Sequence, residues 1–311
     1  MVKGKSSIEQ QMEKLFKHTR TGSFKTRARY QSSCYHFLEF VHKNFKLKNL
    51  RNLHDKHVVA YIIARQQDGI SPKTIKNDLV AIRYLHDMIP NAKHDLSDNK
   101  GLKEMYNLTL EKTPAVKGDR GWTKEEFRNM YNFANERAFE SKTAGDVRDV
   151  MILCRTMGLR VAEAVAMHRS QAEEALRTGI YQVRGEAKNG KWRQVPLSKP
   201  ARHMLQQRLA TVERGEKIFV TPNEKTHHAI NRVEKFLQHH RDKFITREGQ
   251  QKRSYQGKTN PLTFHGLRYN YVQDRMKEEM SNGFTFEQAA TIVTKEVGHE
   301  RIDVINVYLG K

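Results

Sequence analysis

Four short stretches of this chain carry residue types that could hold and attack a phosphate. One is Gly158-Leu159-Arg160-Val161-Ala162-Glu163. The others crowd the far end: His265-Gly266-Leu267-Arg268, then Val297-Gly298-His299, then Tyr308, nine residues past the second histidine. Arginine and histidine donate to anionic oxygens, and a guanidinium can do so through two parallel N–H groups. Tyrosine can serve as a covalent nucleophile. Singly, each stretch is weak. A lone His-x-x-Arg is more often one face of a surface helix. Arg160 with Glu163 one turn later reads equally as a helix salt bridge. Their joint presence is what points to chemistry.

A mostly helical frame must position these groups. Residues 144–157 form a strongly apolar helical run, Gly158 is its expected stop, and Arg160 opens the next helix. Thr123 and Glu126 make a capping box for an earlier helix. Ile180-Tyr181-Gln182-Val183 and Trp192-Arg193-Gln194-Val195 read as strands, and Asn189-Gly190 between them is a strong hairpin signal. The tip carries Lys188 and Lys191, which by residue type alone are solvated hairpin lysines. Helices are expected over 199–212 and 228–245, with a short strand at 218–220. Residues 246–260 are polar, basic and glycine-containing, and predict a mobile loop. His227, His228, His239 and His240 suggest metal ligation. No cysteine or acidic cluster accompanies them and their spacing matches no standard site, so they read as exposed or DNA-facing.

The chain has 311 residues, with 56 Lys and Arg against 35 acids, a net charge of +21. Such an excess asks for a polyanionic partner, most simply nucleic acid, but sets a class and not an activity. Residues 1–50 alone hold 11 basic and 3 acidic side chains. Four helices are expected in the first hundred residues: one carrying Ile8, Met12, Leu15 and Phe16, then 26–44, 55–66, and one begun by Ser71-Pro72. Lys25, Arg27 and Arg29 open the second, where the helix dipole disfavours cations. Lys73, Lys76 and Arg83 lie off the apolar stripe of the fourth. Both sets suit phosphate contacts; both also fit ordinary solvated helix faces. Residues 110–121 read as a linker. Cys34 and Cys154 sit in apolar helical patterns and read as free buried thiols in a reducing compartment. With no 18-residue apolar run and no signal-type front, a soluble, cytoplasmic, nucleoid-associated protein with no membrane partner is expected. There is no P-loop, dinucleotide fingerprint or metal-site spacing.

Gly-Leu-Arg-x-x-Glu, later His-x-x-Arg, then Gly-His, then a tyrosine nine residues on, resembles the tyrosine recombinase (lambda-type phage integrase) family. The likeness covers 123–311 well and the front half in outline. It implies a mainly α fold with a small β-sheet. An N-terminal helical core-binding (SAM-like) domain would span 1–111, a linker 112–121, and a C-terminal α+β catalytic domain 122–311, the halves forming a C-shaped clamp on double-stranded DNA. It implies site-specific recombination or integration through a 3′-phosphotyrosine, with no organic cofactor and no metal. A homotetramer on two DNA sites would exchange strands in two rounds through a four-way junction.

Metal-free phosphodiester cleavage needs an in-line nucleophile, donors on the non-bridging oxygens, a proton acceptor and a proton donor. Free tyrosine has a pKa of ~10 and must be activated by positive charge and a base. The resemblance assigns Tyr308 as nucleophile and Arg160 and Arg268 as the clamp on the scissile phosphate. It gives His299 a hydrogen bond to that phosphate and His265 a part in proton transfer near Tyr308. Lys188 would protonate the leaving 5′ oxygen, with Lys191 as its alternative and otherwise a DNA contact. Glu163 would orient an active-site His or Arg. Three features depart from the family. Tyr269 stands where a histidine is frequent. The 265–299 interval is long, which predicts an insertion within 276–286. Only Leu309, Gly310 and Lys311 follow the tyrosine, where relatives carry a helix that docks on a neighbouring subunit, so a shortened chain or assembly through other contacts is expected. A type IB topoisomerase would use the same chemistry but relax supercoils without exchanging sites. A non-catalytic DNA-binding protein on the same fold would not keep Arg160, His265, Arg268, His299 and Tyr308 together.

Overall fold

Apolar side chains spaced three and four apart lay down the first helix, α1 (Ser7–Lys17), which buries Ile8, Met12 and Phe16. Ser6 caps it: its side chain accepts from the Glu9 amide while the Glu9 carboxylate takes the Ser6 N–H at 2.7 Å. The computed structural model describes residues 4–19, 22, 24–113, 118–184 and 192–310; the side chains of residues 24 and 25 are not described. The chain divides into two units, Met1–Ala115 and Val116–Lys311.

In the first unit, α2 (Phe24–Phe45), α3 (Asp55–Gln67) and α4 (Pro72–Asp87) pack on α1 and on each other around Phe37, Leu38, Tyr61, Leu79 and Ile82. Periodicity predicts four helices. The structure adds a fifth, α5 (Asn99–Tyr106), which buries only Leu102 and so offers no stripe to read. Its signal lies in its ends, an Asp98 cap and a left-handed Asn107. Cys34 is a buried free thiol whose pKa burial pushes up to about 12; Cys154, in the second unit, is also buried and free.

The second unit begins with α6 (Lys124–Glu136), capped by the expected Thr123–Glu126 box, and α7 (Lys142–Thr156). There follow α8 (Val161–Val165), α9 (Arg169–Thr178), the antiparallel pair β1 (Ile180–Val183) and β2 (Arg193–Pro196), α10 (Lys199–Leu209) and α11 (Thr226–His240). The unit continues through α12 (Arg247–Arg253), β3 (Ser254–Tyr255), β4 (Lys258–Thr259), α13 (Phe264–Ser281), α14 (Phe286–Glu296) and α15 (Val304–Tyr308). Helix α7 is the hub, packed by α6, α8, α10, α11 and α13, with Val147, Val150, Met151 and Leu153 wholly buried. A helix apolar on most of its circumference has to be surrounded in this way.

Several expectations need correction. Residues 218–220 form no strand: the Ile218 amide bonds the Met167 carbonyl at 3.0 Å beside a single bridge between His168 and Lys217, and the chain turns away. Helix α11 stops at His240 and continues as a 3₁₀ turn over Arg241–Phe244. Residues 276–286, where an insertion is expected, are the end of α13 and a short turn into α14. The 246–260 stretch is not a loop but α12 followed by the β3–β4 hairpin. Its polarity is deceptive because its anchor is ionic. Arg253, fully buried, donates to both Glu126 oxygens at 2.5 and 2.8 Å, and Thr246 N–H reaches Glu126 Oε1 at 3.1 Å. Arg253→Ala strands a buried carboxylate, so it should destabilise the second unit by about 3–5 kcal/mol, seen as a lower urea midpoint.

Candidate active site

Two glycines set the backbone of the site. Gly158 ends α7 at φ +60°, and a Cβ there would lie 2.3 Å from Tyr271 Cδ1, so only glycine serves. Its carbonyl accepts from Arg268 Nη1, and two residues later Arg160 occupies the N-cap position of α8. Gly298, at φ +66°, turns the chain after α14, where the Val297 carbonyl accepts from Arg268 Nη2. Helix α13 is capped by Thr263 Oγ1, which accepts from Gly266 N at 3.1 Å; His265 and Arg268 stand one turn apart on it. Helix α15 delivers Tyr308, whose own carbonyl is held by Gln273 Nε2 at 2.9 Å.

These elements converge on one phenol. The Tyr308 hydroxyl accepts from Arg268 Nε at 3.2 Å and lies 3.0 Å from His299 Nε2. The His265 ring stands 6.2 Å from the Tyr308 ring, centre to centre, and the Tyr269 ring 4.7 Å. Tyr308 and Arg268 are buried. Burial lowers the Arg268 pKa, partly opposed by Tyr308, but a guanidinium stays charged in proteins. It has five N–H donors, and the two carbonyls and the phenol take three.

His265 is pressed to a pKa of about 4, first by burial among its neighbours and then by Arg268, Arg120, Arg160 and His299. The residue keeps an open edge to solvent, so the surrounding positive charge is the firmer cause. The ring is therefore neutral near pH 7 and free to take a proton. The sign for stability follows. As pH falls from the ordinary histidine value of 6.5 toward about 4, the unfolded chain is protonated first, so the fold loses stability over that window. His265→Asn should flatten this acid limb, and the His265 ring resonance should titrate near pH 4.

Glu163 organises the arginines. Buried at 1% exposure, it accepts from the Arg160 amide at 2.8 Å and from Arg160 Nη1 at 2.7 Å. From β2, Arg193 donates to both its oxygens, at 2.9 and 2.5 Å, and Arg193 Nε also holds the Glu296 carbonyl at 2.8 Å. Burial alone would raise the Glu163 pKa; Arg193 and then Arg160 outweigh it and hold it at about 2. Arg193 and Tyr269 are site residues that the motifs do not mark. Arg193 has one signal: strict alternation along Arg193–Pro196 turns it and Val195 inward, and an inward arginine needs a buried acid.

Arg160, Glu163, His265, Arg268, His299 and Tyr308 thus fall within one region of the second unit. Lys188 and Lys191, with the turn that carries them, lie outside the described residues, as does the Lys25 side chain. Of the other basic residues singled out, Arg29 lies over the Tyr30 ring at 5.3 Å, Lys73 is exposed, and Lys76 Nζ stands 3.5 Å from Thr113 Oγ1. Arg27 Nη1 donates to the Gly22 carbonyl at 3.0 Å. Arg83 is committed within its own unit, donating to the Ser97 carbonyl at 2.8 Å and Asn99 Oδ1 at 2.9 Å. Among the described residues no group of three His, Cys, Asp or Glu is placed to hold a metal, and no helix is long and apolar enough to cross a membrane.

The family model described as "Phage integrase, N-terminal" matches residues 5–93, and that described as "Phage integrase family" matches residues 121–311. No curated protein matches the chain by sequence. Among solved structures, the chain is similar to the XerH site-specific recombinase bound to palindromic difH substrate in a post-cleavage complex, at TM-score 0.60 and 17% identity over 96% of this chain and 80% of that one. It is also similar to the Tn1549 transposon integrase in complex with transposon right end DNA, at TM-score 0.57 and 12% identity over 98% and 95%.

Proposed function

The chain belongs to the phage integrase family, and on that premise we propose that it is a site-specific recombinase that cuts and rejoins double-stranded DNA through Tyr308. The observation that carries this reading is the buried Tyr308 hydroxyl, held by Arg268 Nε and His299 Nε2 within its own chain. A phenol oxygen kept between a guanidinium and an imidazole has a cation and a proton acceptor within reach for nucleophilic attack. Arg160 and Arg268 supply positive charge where the non-bridging oxygens gain negative charge during attack.

In the proposed step Tyr308 Oη attacks the scissile phosphorus. The Oη–P bond forms, the bond to the 5′ oxygen breaks, and the phenolic proton passes to an imidazole. His299 is the nearer acceptor and His265 the further one. The departing 5′ oxygen takes a proton from the protein, a role that falls to Lys188 by family position. The 3′-phosphotyrosine keeps the ester bond, so attack by another strand's 5′ hydroxyl rejoins DNA without ATP. The similarity to DNA-bound relatives supports DNA as substrate, and we extend the reading to four subunits on two sites inside the cell.

The test is a suicide substrate, nicked just beyond the cleavage point so that the short fragment carrying the freed 5′ hydroxyl diffuses away. A protein–DNA adduct stable in denaturant, with exchanged junctions on paired sites, is the expected result. Supercoil relaxation without junctions would assign the same chemistry to a topoisomerase, and no adduct on any DNA fragment pool would sink the proposal.

A further inference from the structure

Beside the catalytic groups lies a cavity of about 670 Å³ lined by Arg120, Arg160, Arg241 and His265, with Glu234 the one acid on its wall. Arg160 and His265 are accounted for by the scissile phosphate. Arg120 and Arg241 have no part in that step. The Arg120 guanidinium makes no hydrogen bond or ion pair among the described residues, and its Nε is fully buried without a partner. Arg241 Nη1 donates to the Leu262 carbonyl at 3.2 Å, but its buried Nε has no hydrogen-bond partner and only a long approach, 3.7 Å, to Asp242.

Buried donors left without a partner cost free energy. Arg160 is already paired with Glu163, whereas among the described residues Arg120 meets no acid and Arg241 only the distant Asp242. Such an arrangement is stable when an anion completes it. The positions are built and not accidental. The Arg120 carbonyl lies where a Cβ on Gly266 would come within 2.4 Å, so the backbone of Arg120 is locked against the start of α13, next to His265. Arg241 follows directly on α11 in a 3₁₀ turn.

We propose that Arg120 and Arg241 form a second phosphate subsite, which takes one of the two phosphates flanking the scissile one on the cleaved strand. This rests on the reading of Tyr308 as the cleaving residue, since that is what places the scissile phosphate beside Arg160 and His265. A flanking phosphate held here keeps the strand from rotating about the scissile phosphorus and so fixes the in-line approach of Tyr308. Arg120 and Arg241 are positioning residues.

The experiment couples protein and DNA changes. The site is the one recovered by sequencing DNA trapped in the Tyr308 adduct, with methylphosphonate placed singly at each flanking position. Binding is measured with the full chain carrying Tyr308→Phe, with and without Arg120→Gln and Arg241→Gln. One flanking methylphosphonate should weaken binding roughly tenfold with the native arginines and have almost no effect in the double variant, and the salt slope should fall by about 1–2. Arg120→Gln alone, whose side chain bonds nothing in the fold, should show about half of this coupling at an unchanged melting temperature. If the adduct forms with Tyr308 present but the DNA and protein changes add independently at both flanking positions, the subsite is wrong while the cleavage reading stands.

Discussion

Tyr308→Phe should abolish covalent capture of DNA, a loss on the order of 10⁴-fold or more in cleavage rate, while leaving DNA binding within a few fold. The expectation follows from what the hydroxyl does and what the ring does. The ring packs 4.7 Å from Tyr269 and 6.2 Å from His265, and phenylalanine keeps those contacts. The hydroxyl alone meets Arg268 Nε and His299 Nε2. Removing it leaves Arg268 with one donor unmet in a buried place, for a stability cost of about 1–3 kcal/mol, which a melting curve will show. Arg268 stays fixed by the carbonyls of Gly158 and Val297, so the phosphate-binding charge is not lost with the nucleophile. A variant that still forms an adduct would move the chemistry to another residue, and Tyr269, the nearest other phenol, would then be the one to change.

The legible and illegible parts of this molecule divide along physical lines. Helices with a continuous apolar stripe, such as α1, α4 and α7, were readable because burial of one face repeats at fixed spacing. The Gly158, Gly266 and Gly298 motifs were readable because their neighbours are rare combinations, and each motif ends up in the same region as Tyr308. Helix α12 was not, since what holds it is one buried ion pair to Glu126, 127 positions away in sequence. Arg193 was likewise hidden: its partner Glu163 lies 30 residues back, and no local pattern announces a cross-chain guanidinium. Arg83 shows another pairing that local pattern does not announce: it lies off the apolar stripe, and it donates to residues 97 and 99. Local periodicity reports which face is wet or dry; it does not report which charges are already paired.

Glu163→Gln tests whether that hidden pairing governs the chemistry. The native carboxylate serves two arginines and, through Arg193, the Glu296 carbonyl ahead of the Gly298 turn that leads to His299. Glutamine keeps the volume but offers one acceptor oxygen and an N–H₂ that must face a guanidinium. The charge balance therefore fails on both sides of the site at once. With its pKa held at about 2 against an ordinary 4.5, the carboxylate contributes about 3 kcal/mol of stability near neutral pH. A depressed carboxylate pKa gives stability that is present above 4.5 and disappears as pH drops toward 2, so the variant should be less stable at pH 7 and flatter below pH 4.5. Cleavage should fall about 10²-fold at saturating DNA with affinity little changed, because Arg160 still carries its charge but no longer its angle. Glu163→Asp, which restores charge with a shorter reach, should recover stability more than rate. If Glu163→Gln instead weakens DNA affinity and leaves the rate at saturation intact, the pair only maintains the fold, and orientation of Arg160 must come from elsewhere.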